Sequence, residues 1–292
     1  MEWKNLDIDT LCTFISNPAK FFLEKRLGIY LTEPDPVSEE KENFSLNGLD
    51  KYILGQDLVK RRVSGTTLED CLAVQRAGGR LPHGNVGELV YNEMSVDAEI
   101  FVRKIENHTK SEHLQDLEVD LEIAEFHLAG RISGVHEDTL IRISYASAKP
   151  KYLLNTWLYH LVLCALDEDK YPGNSLLLCK DSVMEFERVS NSTDIIEHLL
   201  SLYWQGMSAP LPFFPESSFE YDKRVLIKKQ AESVALRVAQ QKWLGNDFAR
   251  GESEDPYYNL GLRGVDPLNE AFQNIAVSIA APLLNHCTEM IV

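Results

Sequence analysis

The sequence predicts an α/β fold, a mixed central sheet flanked by helices, and three observations carry that reading. Apolar residues alternate through Leu128, Ile132 and Val135, a His-Glu-Asp turn occupies 136–138, and Leu140, Ile141 and Ile143 resume the strand. Behind them Leu153, Leu154, Trp157, Leu158, Leu161, Val162 and Ala165 recur at three-and-four spacing, the period of a buried helix. A second hairpin spans Asn174 to Val189, where SLLLC and VMEFERV flank Lys180-Asp-Ser and extend the sheet.

The remaining elements follow in chain order. Asp9 to Leu27 reads as a helix capped by Asp9 or Thr10, with Leu11, Phe14, Ile15, Phe21, Phe22 and Leu23 on its apolar stripe and Pro18 interrupting it. Thr32 to Asn43 is acidic, carries two prolines and reads as a surface loop. Gly48 to Arg62 and Thr66 to Arg76 are two short helices, the second capped by Thr66 with Glu69 at the capping-box position. A Gly-Gly-Arg-Leu-Pro-His-Gly break at 78–84 precedes a long amphipathic helix from Val86 to Asn107. Glu118 to Phe126 alternates strictly, Val119, Leu121 and Ile123 on one face and Glu118, Asp120 and Glu122 on the other, as a strand with one wet face does. After the second hairpin come a helix from Thr193 to Gln205, a rigid proline-rich segment from Ser208 to Glu216, and a long helical pattern from Phe219 to Leu244. Residues 251–268 read as loop, and Asn269 to His286 as an apolar helix.

Composition narrows the function. With 292 residues, 44% hydrophobic and 25% charged, the chain can bury a sizeable core. A net charge of −16 and a pI near 4.9 argue against nucleic-acid binding by bulk electrostatics, because affinity for phosphate comes from clustered Lys and Arg releasing counterions. Any such contact must be local, or made inside a larger assembly. The basic residues Lys223, Arg224, Lys228, Lys229, Arg237 and Lys242 form the one local cluster, read as a phosphate contact, an acidic-partner surface or a solvated helix face. No stacking aromatics are interleaved with it. Leu211, Phe213 and Phe214, stiffened by three prolines, either pack across the domain or dock on a partner. Five cysteines, Cys12, Cys71, Cys164, Cys179 and Cys287, odd in number and set in apolar patterns, read as reduced thiols of a cytoplasmic protein. CxxC and HExxH are both missing, so no metal and no cofactor is expected, and neither a leader peptide nor an apolar run of about 18 residues suggests a membrane. Ser133, Ser144 and Ser147 stand near His127, His136 and His160 without a G-x-S-x-G elbow. His160 reads as a packed or hydrogen-bonded histidine, His136 as a turn residue.

The stretch Phe14-Ile-Ser-Asn-Pro-Ala-Lys-Phe-Phe-Leu-Glu-Lys-Arg-Leu-Gly28 resembles the opening helix of RecB/AddB-type nuclease domains and the corresponding part of the RecC family, the gamma subunits of exodeoxyribonuclease V. Strand, turn, strand, helix is the core unit on which such restriction-endonuclease-like domains build a Mg²⁺ site. The active members resemble one another in G-x-I-D-R-I, then V-D-Y-K, then Gln-x-x-x-Tyr. Against that pattern Gly130-Arg-Ile-Ser-Gly-Val135 puts Ser133 at the first acid. Arg142-Ile-Ser-Tyr-Ala146 puts Ser144 at the second acid and Ala146 at the lysine, and Trp157-Leu-Tyr-His-Leu161 stands where Gln and Tyr belong. Serines do not replace the anionic oxygens that Mg²⁺ requires. The erased chemistry is similar to RecC rather than RecB, as are Pro210-Leu-Pro-Phe-Phe-Pro215 and the 251–268 phrase G-E-x-x-D-P-x-Y…R-G-x-D-P-L.

The resemblance implies a single C-terminal nuclease-like domain over 1–292, with a leading helical region at 1–110, core sheet and central helix at 114–190 and a helical region at 191–292. The family's members are longer and carry helicase-like domains ahead of this one, and no P-loop occurs here. It further implies a domain that cuts nothing, grips RecB-like and RecD-like subunits and guides DNA strands in double-strand break repair by homologous recombination. The competing expectation is a Mg²⁺-dependent exonuclease with relocated ligands, Glu88, Glu125 or Asp138 with Lys149. In active relatives a helix near Glu88 donates a ligand, and Glu88 is either its remnant or a solvated first-turn residue.

Overall fold

The computed structural model describes residues 2–31, 45–166 and 170–290; the acidic loop expected at 32–43 lies outside them. A strand that the sequence did not announce comes first: β1, Asn5–Asp7. Helix α1, Ile8–Ser16, starts from Asp7, whose carboxylate accepts from the backbone of Asp9 (2.8 Å), so the cap is neither Asp9 nor Thr10. Asn17 ends α1 and caps the short α2, Pro18–Phe21, by accepting from Lys20 N; Pro18 supplies a first-turn residue whose missing N–H costs nothing. A π-helical turn, Phe22–Arg26, follows.

Helices α3, Gly48–Val63, α4, Leu68–Ala77, and α5, Gly84–His108, form one layer. The N-cap of α4 is Thr67 rather than Thr66, and its hydroxyl engages Asp70 instead of a backbone amide, so the expected capping box does not form. Next come β2, Leu117–Ile123, and β3, Phe126–Ile132, joined by a tight turn with Ala124 at φ 51°. The alternating stretch thus ends at Ile123, and Phe126 already belongs to the next strand. Then follow β4, Leu140–Ile143, helix α6, Pro150–Ala165, β5, Ser175–Leu178, and β6, Val183–Phe186.

The fold is mixed α/β with mixed sheets. The first sheet has the order β1-β3-β2, parallel then antiparallel. In the second, β4 and β5 are parallel across the α6 crossover, β6 is antiparallel to β5, and β9, Cys287–Glu289, closes the far edge. A bridge between Val135 and Leu140, with Ile141 N donating to Gly134 O (2.9 Å), joins the two sheets. Period-two alternation sorts the second sheet's side chains. Leu140, Leu177 and Phe186 face α1, α6 and α7, Ser192–Gly206, in the main core. Ile141, Tyr145, Leu178 and Val183 face α3 and α5. Gly55 of α3 makes that contact possible, since a Cβ there would overlap the Tyr145 ring.

The long helix expected from Phe219 to Leu244 is two helices. Helix α8, Pro215–Asp222, runs into a π-helical turn at Lys223–Ile227, the chain reverses at Lys229 (φ 52°), and α9, Glu232–Leu244, packs back on α8. A hairpin of β7, Gly245–Asn246, and β8, Ala249–Arg250, leads to α10, Pro256–Gly261, inside the stretch expected to be loop, and to α11, Glu270–His286. These C-terminal helices enclose a separate cluster of Phe214, Tyr221, Ala235, Ala239, Tyr258 and Phe272. Among the described residues no helix is long and apolar enough to cross a membrane.

Candidate functional site

The core unit brings Ser144 and Ala146 to the end of β4, where Ser144 N donates to Leu178 O (2.9 Å) and Lys180 N to Ala146 O (2.9 Å), prolonging the ladder with β5. Ser144 is buried with an unpartnered hydroxyl, Ser133 is exposed after β3, and Ala146 lines a cleft of about 580 Å³ between β4, α3 and α5. Two acids that the sequence reading did not single out, Glu93 and Asp97 of α5, border this cleft with Lys51 and Lys180. Asp97 is engaged by Lys180 (3.4 Å), whose ammonium also stands 4.5 Å from the Tyr145 ring centre. Among the described residues no three His, Cys, Asp or Glu side chains converge as a metal cage.

Trp157 lies in the main core at 1% exposure, stacked between His160 and Phe186. His160 is fully buried, its ring nitrogens bonded to Ser175 Oγ (2.7 Å) and Glu187 O (2.9 Å), and burial pulls its pKa down to about 4. It is a neutral packed histidine, not a base facing solvent. His136 pairs with His113 across an isolated bridge and with Ser111 O (3.1 Å), so it belongs to the sheet's continuation as well as the turn.

The relocated ligands do not assemble. Glu88 is paired with Arg76 (2.9 Å) at the start of α5. Glu125 pairs with Lys4 at the β2–β3 turn, and Asp138 accepts from Ser111 at the opposite end of β3. The seven residues of β3, about 3.3 Å each, separate those two carboxylates, far beyond any shared ion. Lys149 is the exposed N-cap of α6.

The partner-docking candidates divide. Leu211, Phe213 and Phe214 are buried, Phe213 in the main core and Phe214 against Trp243 (4.3 Å), Tyr258 and Phe272, so the proline segment packs across its own chain. Lys223, Lys228, Lys229, Arg237 and Lys242 are exposed around the α8–α9 bend and along α9, while Arg224 is drawn in to Glu220 (2.8 Å). Beside them the fold places two aromatics that the sequence reading passed over, Trp243 on α9 and Phe248 at the β7–β8 tip. Phe248 is 99% exposed.

Two carboxylates hold the same region. Glu252, in the turn after β8, accepts from Glu216 N (3.0 Å), Ser217 N (2.9 Å) and Ser217 Oγ (2.7 Å), satisfying the first amides of α8; burial raises its pKa and these bonds pull it back. Asp222, at the other end of α8, is fully buried with neither oxygen bonded, and burial pushes its pKa up to about 7. The four thiols Cys12, Cys71, Cys164 and Cys179 are buried.

Fold and site together define a mixed α/β domain in which Ser144 and Ala146, at the end of β4, carry neutral side chains. A family profile described as "RecC C-terminal domain" matches residues 3–225, and the chain belongs to that family. It is 28% identical over 291 residues to the RecBCD enzyme subunit RecC of Haemophilus influenzae, covering 85% of this chain and 26% of that protein. The Escherichia coli RecBCD enzyme subunit RecC is 27% identical over 275 residues, covering 90% and 24%, and that of Buchnera aphidicola from Schizaphis graminum is 23% identical over 264. The chain spans about a quarter of the length of these curated relatives.

Proposed function

We propose that this chain serves in the cytoplasm as a non-cutting, restriction-endonuclease-like domain of a RecBCD-type helicase–nuclease, exodeoxyribonuclease V. It acts there as a scaffold for RecB-like and RecD-like subunits and as a guide for DNA strands in double-strand break repair by homologous recombination. The domain is one unit over 1–292. The observation that carries the reading is the conjunction at β4. An antiparallel β2–β3 pair, a bridge from Val135 to Leu140, a crossover helix and a parallel β4–β5 pair support a nuclease-like reading, and in it Ser133, Ser144 and Ala146 occupy the positions of the two acids and the lysine. A Mg²⁺ pair needs several anionic oxygens, and hydroxyl and methyl groups supply none. The relatives' description as RecBCD enzyme subunits supplies the assembly.

The test is co-purification of the tagged chain with RecB-type and RecD-type subunits, alongside a nuclease assay of the chain alone with Mg²⁺ and Mn²⁺. The reading expects a stable complex and intact DNA. Metal-dependent degradation by the chain alone, abolished by Asp97→Asn, would overturn it.

A further inference from the structure

We infer that Phe248 is a base-stacking residue: the β7–β8 hairpin presents it to an unpaired nucleotide of a single-stranded nucleic acid whose backbone lies along α9. This deepens the strand-guiding part of the function proposed above and rests on it. A phenylalanine left 99% exposed forgoes about 2 kcal/mol of burial, so its position calls for a use outside the fold. The hairpin braces the backbone that carries the ring. Asn246 Oδ1 accepts from Phe248 N (2.9 Å) and Ala249 N (3.0 Å), closing the turn. At its base Gly245, at φ 73°, and Gly251 approach so closely that a Cβ on either would strike the other's backbone or its neighbour's. Beyond the base, Glu252 ties the chain to α8. The aromatic therefore stands on a stiff support.

Charge selects the occupant. Residues 223–250 carry seven Lys and Arg against Glu232 and Asp247, in a chain of net charge −16. A groove of about 480 Å³ runs along α9 past Arg237, Gln240 and Trp243 to Leu244, where the hairpin begins. Its acid, Asp266, turns its carboxylate to Leu268 N (3.1 Å). A protein-docking anchor sits among other apolar side chains that exclude water, whereas Asn246, Asp247 and Arg250 surround Phe248. Stacking on a base needs one ring face and a nearby cation, and every base offers a π face.

The test uses the full 292-residue chain with fluorescein-labelled dT20 and a dT20 bearing one 2-aminopurine, at low salt. Wild type is expected to bind and quench 2-aminopurine. Phe248→Trp should keep both properties, and Phe248→Ala should weaken binding about tenfold and abolish the quench with an unchanged circular dichroism spectrum. Arg237→Ala should weaken binding and flatten its salt dependence while leaving the quench at saturation. Equal affinity and quench for Phe248→Ala, or no binding of dT20 by the folded chain, would overturn the assignment. So would a Phe248→Ala variant that loses only its RecB-type or RecD-type partners, which would make the ring a protein anchor. Failure to assemble with a Phe248-dependent quench intact would sink the scaffold and spare the stacking residue.

Discussion

Trp157 and Phe248 are both large aromatics on ordered elements, one at 1% exposure in α6 and the other at 99% on the β7–β8 tip. Around Trp157, His160, Phe186 and His286 share their ring faces, although its buried indole N–H has no hydrogen-bond partner. Around Phe248 there is only a braced turn. The core spends its aromatics on stability, and the C-terminal region keeps one for contact. The polar groups follow the same division: the β4 end carries the neutral Ser144 and Ala146, while the C-terminal region has buried two carboxyls, Asp222 and Glu252, one a strain and one a structural tie.

The largest effect should come from the core side of this contrast. Trp157→Ala removes a fully packed ring and is expected to cost about 3–5 kcal/mol in urea unfolding. Asp222→Asn tests whether the C-terminal region stores a cost in its buried acid. A carboxyl raised from 3.8 to about 7 contributes its full stability below pH about 4 and loses it as pH rises to 7. The neutral variant should match wild type at pH 4 and exceed it at pH 8 by on the order of 3 kcal/mol, read from thermal midpoints. His160 has the opposite sign, its contribution complete above 6.5 and lost as pH falls towards 4, so the variant's stability should climb more steeply with pH than wild type's over that interval.

Introducing an acid sharpens the comparison at β4. Ser144→Asp places a carboxylate in a buried site without a hydrogen-bond partner and should cost about 2 kcal/mol at neutral pH, whereas exposed Ser133→Asp should stay within about 0.5 kcal/mol. Chemical denaturation of the two single variants separates them. Phe248→Ala closes the series, with a stability change below about 0.5 kcal/mol, since the ring touches nothing inside the fold. A large loss there would mean that the hairpin is part of the core after all.

What the sequence made legible was set by range. The hairpin around 180–182, helix α6 and its buried histidine follow from local periodicity and turn chemistry, and the structure has them; at 136–138 the chain turns, but β3 and β4 enter different sheets and only Val135 and Leu140 bridge across the turn. Strands β1 and β9 are three residues each and exist only because β3 and β6 offer them an edge, so no local pattern marks them. The kink between α8 and α9 was hidden because Lys, Arg and Val continue a helical pattern through 223–231; tertiary packing of α9 on α8 decides the reversal. Of the site, the neutral residues at β4 were visible as departures from a motif. The Glu93, Asp97 and Lys180 cleft was not, because α5 and β5 meet only in three dimensions. Phe248 was legible only in hindsight: a lone aromatic in a polar turn looks the same in sequence whether it folds inward or stands free.

Asn17, the residue that breaks the first helix in two, also donates to Asp255 Oδ2 (2.9 Å) across 238 positions, and nearby Tyr257 Oη both donates to Glu24 (2.5 Å) and accepts from Leu31 N (3.2 Å). The beginning of the described chain is thus fastened by a turn synthesised near its end. During translation α1 and α2 wait, held by neither half of the clasp, until residues 255–257 have left the ribosome. Such late, long-distance closure slows folding and leaves the Phe14 and Phe21 face open to chaperones meanwhile.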